Sequence, residues 1–311
     1  MTKTVRPSSE GEYQNKWELF IKFLKSKGIT PKDLNQSHVL DFFMYLFHDL
    51  QRKPSTIRHY KSALTEPLAA LGINIKTVEF SKLMKAMDIK RPRRPCARPQ
   101  WSLNSVLKFI DQMQEPLSEV QLLRKSAFLL LLATGFRISE LHACVRQGEY
   151  CRFLENGSLS LRPRTSFLAK NESSQKPWKA IIIKPLKTPE GEDSNLCPVA
   201  TLRKYLDISQ SEGSKDLFLP LDKSAKPLQI CQLKTAVCQL IVDADPNTKA
   251  NVKDIRAYAA SFALEDTMLL GELVRAIGWS SAVMFYKHYL VEVERLERDV
   301  VLPVRISKSQ Q

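Results

Sequence analysis

The sequence predicts a mainly α-helical protein with a small antiparallel β-sheet or hairpin, divided between two domains. Three observations predict it. Apolar residues recur at three- and four-residue steps over most of the chain, the spacing of a helix face. Alternating or β-branched runs are confined to residues 158–162 and 179–183. Between two segments long enough to bury a core each lies a stretch with three prolines, five basic residues and almost nothing apolar, residues 90–99.

Taken in order, Trp17, Phe20, Ile21 and Leu24 share one face of a first helix over about residues 12–27, which Gly28 closes. Ser37 is a plausible N-cap for a second helix carrying Val39, Leu40, Phe43, Leu46 and Phe47. Pro54, Ser55 and Thr56 open a third, with Ile57, Tyr60, Leu64 and Leu68 inward and Arg58, His59 and Lys61 outward. Residues 51–100 carry twelve Lys or Arg against three Asp or Glu, more than solubility requires. Residues 1–89 therefore read as a helical bundle and 90–100 as a basic, proline-rich linker suited to a phosphate backbone or to nuclear localisation.

The second domain, 101–311, begins near Trp101 with a helix through Val106, Ile110 and Met113. A dense apolar run then ends in Leu129, Leu130, Leu131, Leu132, Ala133 and Thr134, so that helix is expected to be buried on nearly all sides, with Gly135 supplying its C-terminal turn. Arg137 starts a short second helix whose Ile138 and Leu141 face the core. A guanidinium so placed keeps its charge and needs an anion, either Glu140 internally or an external phosphate. Residues 158–162 and 179–183 form the expected hairpin around a turn at Asn171, Glu172, Ser173 and Ser174. Helices resume around 199–205 and 228–241. From Val252, the residues Ile255, Ala259 and Phe262 make one helical stripe and leave Arg256 beside Ala260 and Ala263 on another face. Further helices are expected after Gly271 and over 283–290.

Charge and composition narrow the function classes. Forty-seven Lys and Arg against 33 Asp and Glu give a formal charge of +14 and a pI near 9.5, which favours a polyanionic partner, nucleic acid first. The longest apolar stretch, about 127–136, is too short to span a bilayer. The polar first ten residues carry no secretory core, which points to a reducing compartment. The six cysteines show no Cys-x-x-Cys spacing and the five histidines are scattered, so no zinc site is expected; these thiols read as small buried apolar residues or surface groups.

The order Ala133-Thr134-Gly135-Phe136-Arg137-Ile138-Ser139-Glu140-Leu141, then Arg256, then Gly278-Trp279 and a tyrosine shortly after, resembles the tyrosine recombinase family of phage integrases. The spellings Phe167-Leu168-Ala169-Lys170, Ile255-Arg256-Ala257, Trp279-Ser280-Ser281 and Lys287-His288-Tyr289-Leu290 are most similar to the recombinases of DIRS-type retrotransposons. The catalytic resemblance covers residue 101 onward; the N-terminal bundle is similar only in general pattern to the family's SAM-like core-binding domain.

The resemblance implies a two-domain tyrosine-recombinase architecture that breaks and rejoins DNA without a metal or cofactor. Arg137 and Arg256 would clamp the scissile phosphate in bidentate geometry. Tyr289, or Tyr286 one turn earlier, would be the nucleophile of a 3′-phosphotyrosyl link. Lys170 would protonate the leaving 5′-oxygen, with Lys176 and Lys179 as alternatives. Trp279 would donate to the phosphate through its indole N–H. Two positions depart from the family's pattern: Lys253 stands where it has histidine, and Ala257 where histidine is common. A lysine donates to a phosphoryl oxygen but is a poor general base at its ordinary pKa, so activation of the tyrosine is the open point. The implied partners are double-stranded DNA, contacted through Arg58, Lys61, Lys90, Arg91, Arg93, Arg94 and Arg98, and three further copies of the chain, with residues 292–298 as a docking tail. A membrane and a small-molecule substrate are not expected. The implied location is the nucleus, or the cytoplasm of a prokaryote. A DNA-binding descendant that no longer cuts, and a relaxing topoisomerase, are the competing readings.

Overall fold

The computed structural model describes residues 7–92, 99–167, 180–209, 214–220 and 227–265. The chain divides into two compact units, Met1–Pro95 and Cys96–Gln311. Among the described residues no helix is long and apolar enough to cross a membrane.

The first unit holds α1 (Pro7–Ser26), α2 (Gln36–His48), α3 (Pro54–Ala70) and α4 (Val78–Lys90). The helical stripes of the sequence become its core: Phe20, Phe42, Phe43, Leu46, Ile57, Leu64, Leu68 and Phe80 are fully buried. Among the described residues, five aromatic rings make edge-on or tilted contacts with Phe42, which lies 5.0 Å from Phe20 and 5.9 Å from Tyr60. Gly28, at φ 68°, closes α1 as expected: its amide bonds the Lys25 carbonyl and the Ile29 amide reaches back to Leu24. The second helix starts earlier than Ser37. Asn35 is its N-cap, because its side-chain oxygen accepts from the amides of Ser37 at 2.9 Å and His38 at 3.3 Å.

The second unit is built around α6 (Glu119–Thr134), which packs against α8 (Pro198–Ile208), α9 (Ile230–Ala244) and α10 (Val252–Glu265). Every residue from Lys125 to Thr134 is buried, so the expectation of a helix enclosed on nearly all sides holds. Ser118 caps its start, accepting from Gln121 N, and Gly135 at φ 63° caps its end. The preceding α5 (Leu103–Asp111) stops short of Met113, whose amide bonds Ile110 outside the helix. Between α7 (Ile138–His142) and α8 lies an antiparallel sheet in the order β1-β2-β3, from Cys151–Phe153, Leu159–Leu161 and Ile181–Ile183. The expected hairpin corresponds to β2 and β3, in the register Leu159 to Ile183 and Leu161 to Ile181. The third strand, β1, was not anticipated: its three residues are too few to display a period, and only pairing with β2 makes them a strand. The turn at 171–174 lies outside the described residues.

Candidate active site

The site grows from the end of α6. Thr134 Oγ1 donates to the Leu130 carbonyl at 2.6 Å and accepts the Phe136 amide at 3.1 Å, which stops the helix and turns the chain at Gly135. Arg137 then takes extended backbone angles, φ −74° and ψ 154°, at the N-cap of α7. One turn into α7, Glu140 folds back: its Oε2 accepts the Arg137 amide at 2.7 Å and its Oε1 accepts Arg137 Nη1 at 2.5 Å. The local pair anticipated from the sequence therefore exists.

It is half of a larger arrangement. Arg256, on α10, donates through Nη1 to the Gly135 carbonyl at 2.7 Å and to Glu140 Oε2 at 3.3 Å. Ala260 and Ala263, beside it on that helix, are buried, and small side chains there let α10 lie close to α6. Glu140 keeps 2% of its side chain exposed and Arg256 5%, whereas Arg137 keeps 27%. Two guanidiniums thus share one buried carboxylate. The cluster carries one positive charge more than Glu140 cancels, and Arg137 is its solvent-facing member. Such a fork, with its donors held before any ligand arrives, suits a tetrahedral oxyanion.

Among the described residues, buried thiols lie beside Glu140. Cys144, a turn beyond Glu140, donates to the Glu140 carbonyl, and burial pushes its thiol well above the usual range, with Cys151 and Glu140 adding to the shift. Burial raises Cys151 to about 11. His142 Nε2 donates to the Leu228 carbonyl at 2.6 Å, tying α7 to the approach to α9. Arg146 is a structural arginine, donating to the carbonyls of Ser209, Asp216 and Leu217.

Lys253 is exposed on the first turn of α10, where its amide bonds Asn251 Oδ1. In the first unit Arg58 pairs with Asp88 on α4, and Lys61 lies 5.9 Å from the Phe80 ring. Arg91 stacks on Phe47 at 4.0 Å and donates to Gln51 and to the Arg52 carbonyl. Lys90 is exposed at the end of α4. Lys170, Trp279, Tyr286 and Tyr289, with Lys176, Lys179, Arg93, Arg94, Arg98 and the tail 292–298, lie outside the described residues.

Two contributors were not singled out from sequence. The Gly135 carbonyl offers no side-chain signal. Glu140 reads in the sequence only as a candidate partner of Arg137; that it also takes Arg256, itself named from the sequence, had no local signal beyond an acid placed between Ile138 and Leu141.

No protein-family model and no curated protein sequence matches the chain. Solved structures do. A lambda integrase dimer bound to a COC′ core site is 14% identical with a TM-score of 0.59, over 96% of this chain and 94% of that one. A lambda integrase tetramer bound to a Holliday junction is 13% identical with a TM-score of 0.57, over 95% and 76%. The Tn1549 transposon integrase in complex with circular intermediate DNA is 14% identical with a TM-score of 0.59, over 93% and 91%. The chain therefore has the mainly helical fold, with a small antiparallel sheet, of these tyrosine recombinases and integrases.

Proposed function

We propose that the protein is a site-specific DNA recombinase that cleaves and rejoins strands through a covalent 3′-phosphotyrosyl intermediate. The observation that carries this reading is the convergence of Arg137 and Arg256 on one carboxylate at the end of α6. In the reaction, the Tyr289 phenol gives up its proton to solvent, its oxygen attacks the scissile phosphorus and the bond to the 5′-oxygen breaks. Lys170 gives that oxygen its proton, and Arg137 and Arg256 stabilise the charge on the non-bridging oxygens. The reverse step, with a 5′-hydroxyl from a second duplex, completes strand exchange.

In this reading residues 1–89 form a DNA-binding domain, 90–100 a linker along the phosphate backbone, and 101–311 the catalytic domain. The charge of +14 supports a nucleic-acid partner. The likeness to a DNA-bound tetramer supports assembly of four copies on DNA. The DIRS-like spellings and the basic stretch 90–98 support a mobile-element recombinase acting in the nucleus.

Trapping on a nicked suicide duplex tests the reading: the protein forms a denaturant-resistant adduct that Tyr289→Phe abolishes. An adduct retained in Tyr289→Phe and lost in Tyr286→Phe reassigns the nucleophile. The exposed Lys253, at the family's histidine position, favours one second reading, a DNA-binding descendant that no longer cuts. That reading predicts salt-sensitive binding and no adduct. Relaxation of a supercoiled plasmid without recombinant products would identify a topoisomerase instead.

A further inference from the structure

Trp101 stands between the two helices whose approach builds the arginine pair. Its side chain is 4% exposed. Its ring meets Phe128 of α6 edge-on at 6.2 Å and Tyr258 of α10 edge-on at 4.8 Å. Its indole Nε1 donates to Asp254 Oδ2 at 3.2 Å, and its carbonyl accepts the Tyr258 hydroxyl at 2.6 Å. Just before it, the Gln100 carbonyl accepts the Thr248 hydroxyl in the segment leading into α10.

Asp254 and Tyr258 are one turn apart and share a face of α10. Arg256, two residues from Asp254, projects roughly 200° away around the helix, by the 100° step per residue of an α-helix. The helix is thus gripped on one side by Trp101 and on the other by Gly135 and Glu140. A rotation or slide of α10 that broke the Trp101 bonds would carry Arg256 Nη1 off the Gly135 carbonyl, because a helix moves as a rigid rod.

We propose that Trp101 and Asp254 are positioning residues for Arg256: the indole-carboxylate bond and the ring wedge set the rotation and spacing of α10 against α6. This rests on the function proposed above for its catalytic consequence, though not for its structural one. Geometry sensitivity gives it weight, since a misplacement of about 1 Å costs on the order of a hundredfold in rate. Trp101 is also the sixth residue of the second unit.

The test uses the full chain and reads Arg256 independently of DNA cleavage. Hydrogen exchange of the guanidinium protons is followed by nitrogen-edited NMR, with the Arg256 signals assigned by their loss in Arg256→Lys. Trp101→Phe keeps a ring and removes the donor. Its Arg256 protons should exchange about tenfold faster than in the wild type, at nearly unchanged melting temperature and DNA affinity. Single-turnover adduct formation should fall about tenfold. Asp254→Asn retains an acceptor for the indole and should behave as the wild type, while Asp254→Ala should follow Trp101→Phe. Arg256 protons equally protected in Trp101→Phe and wild type would overturn the proposal. So would a parallel fall in melting temperature, DNA affinity and rate, which would mark Trp101 as an ordinary core residue. A wild type that forms no adduct refutes the proposed function, and the exchange measurement then decides on Trp101 alone.

Discussion

Arg256 and Glu140 are 116 positions apart, yet Arg256 Nη1 lies 3.3 Å from Glu140 Oε2, with both side chains almost wholly buried. That carboxylate also takes Arg137, through its guanidinium and its amide. Glu140 therefore neutralises the cost of bringing two guanidiniums together and holds them where neither has to reorganise when an anion docks.

Removing the carboxylate should be costly in proportion. Glu140→Ala leaves Arg256 buried against a second cation, and breaking a buried pair in this way costs about 3 kcal/mol. Chemical denaturation of the variant checks it. Glu140→Gln, which still accepts hydrogen bonds, should lose less stability while its adduct formation falls.

Gly135 is a second sensitive point. Its φ of 63° is a left-handed conformation that costs a residue with a Cβ about 1 kcal/mol, and its carbonyl is the nearer acceptor of Arg256. Gly135→Ala should lower stability by about that amount in urea unfolding. It should lower cleavage more than the stability change accounts for, with DNA affinity retained.

Basic residues of the first unit should separate by what they already touch. Lys90→Ala removes an exposed charge and, if Lys90 neutralises a phosphate, should reduce the slope of log affinity against log salt by about 0.9, with stability unchanged. Arg91→Ala also removes a guanidinium stacked on Phe47 and bonded to Gln51. It should therefore cost about 1 kcal/mol of stability in the absence of DNA. Fluorescence-anisotropy titrations at several salt concentrations, with parallel melting curves, distinguish the two.

The buried thiols make stability depend on alkaline pH. Cys151 is held up to about 11 against an ordinary value of 9.0, so the folded chain keeps its proton while the unfolded chain loses it between those pH values. Its contribution is fully present below pH 9 and declines through pH 11. At 1.36 kcal/mol per unit, that decline amounts to on the order of 2 to 3 kcal/mol. The urea midpoint of the wild type should fall more steeply from pH 9 to 11 than that of Cys151→Ala. At pH 8, iodoacetamide should label the exposed Cys231 well before Cys144 or Cys151, as followed by mass spectrometry.

What the sequence determined by itself was local. Helix periodicity named Phe20, Leu46, Ile57 and Leu64 as core, because a face repeating every 3.6 residues is written directly in the spacing of apolar residues. Gly28 and Gly135 marked helix ends for the same kind of reason, since few other residues accept a positive φ at low cost. The apolar run before Gly135 announced a helix enclosed on all sides, and the Arg137–Glu140 pair lies within one turn. Where short-range signals competed, the reading slipped: both Asn35 and Ser37 are cap residues, and only the hydrogen bonds chose Asn35.

The tertiary structure decided what depends on contacts across long loops. Strand β1 exists only because β2 offers it a partner, so three residues held no periodic signal. The Gly135 carbonyl became an acceptor only when α10 packed on α6, and a backbone oxygen is the same in every sequence. Glu140 looked like the partner of one arginine and serves two. Trp101 read as a domain start and proves to be the wedge between α6 and α10. A charge deep in a core must meet its complement somewhere, and sequence reveals that need; which segment meets it is settled only when the helices pack.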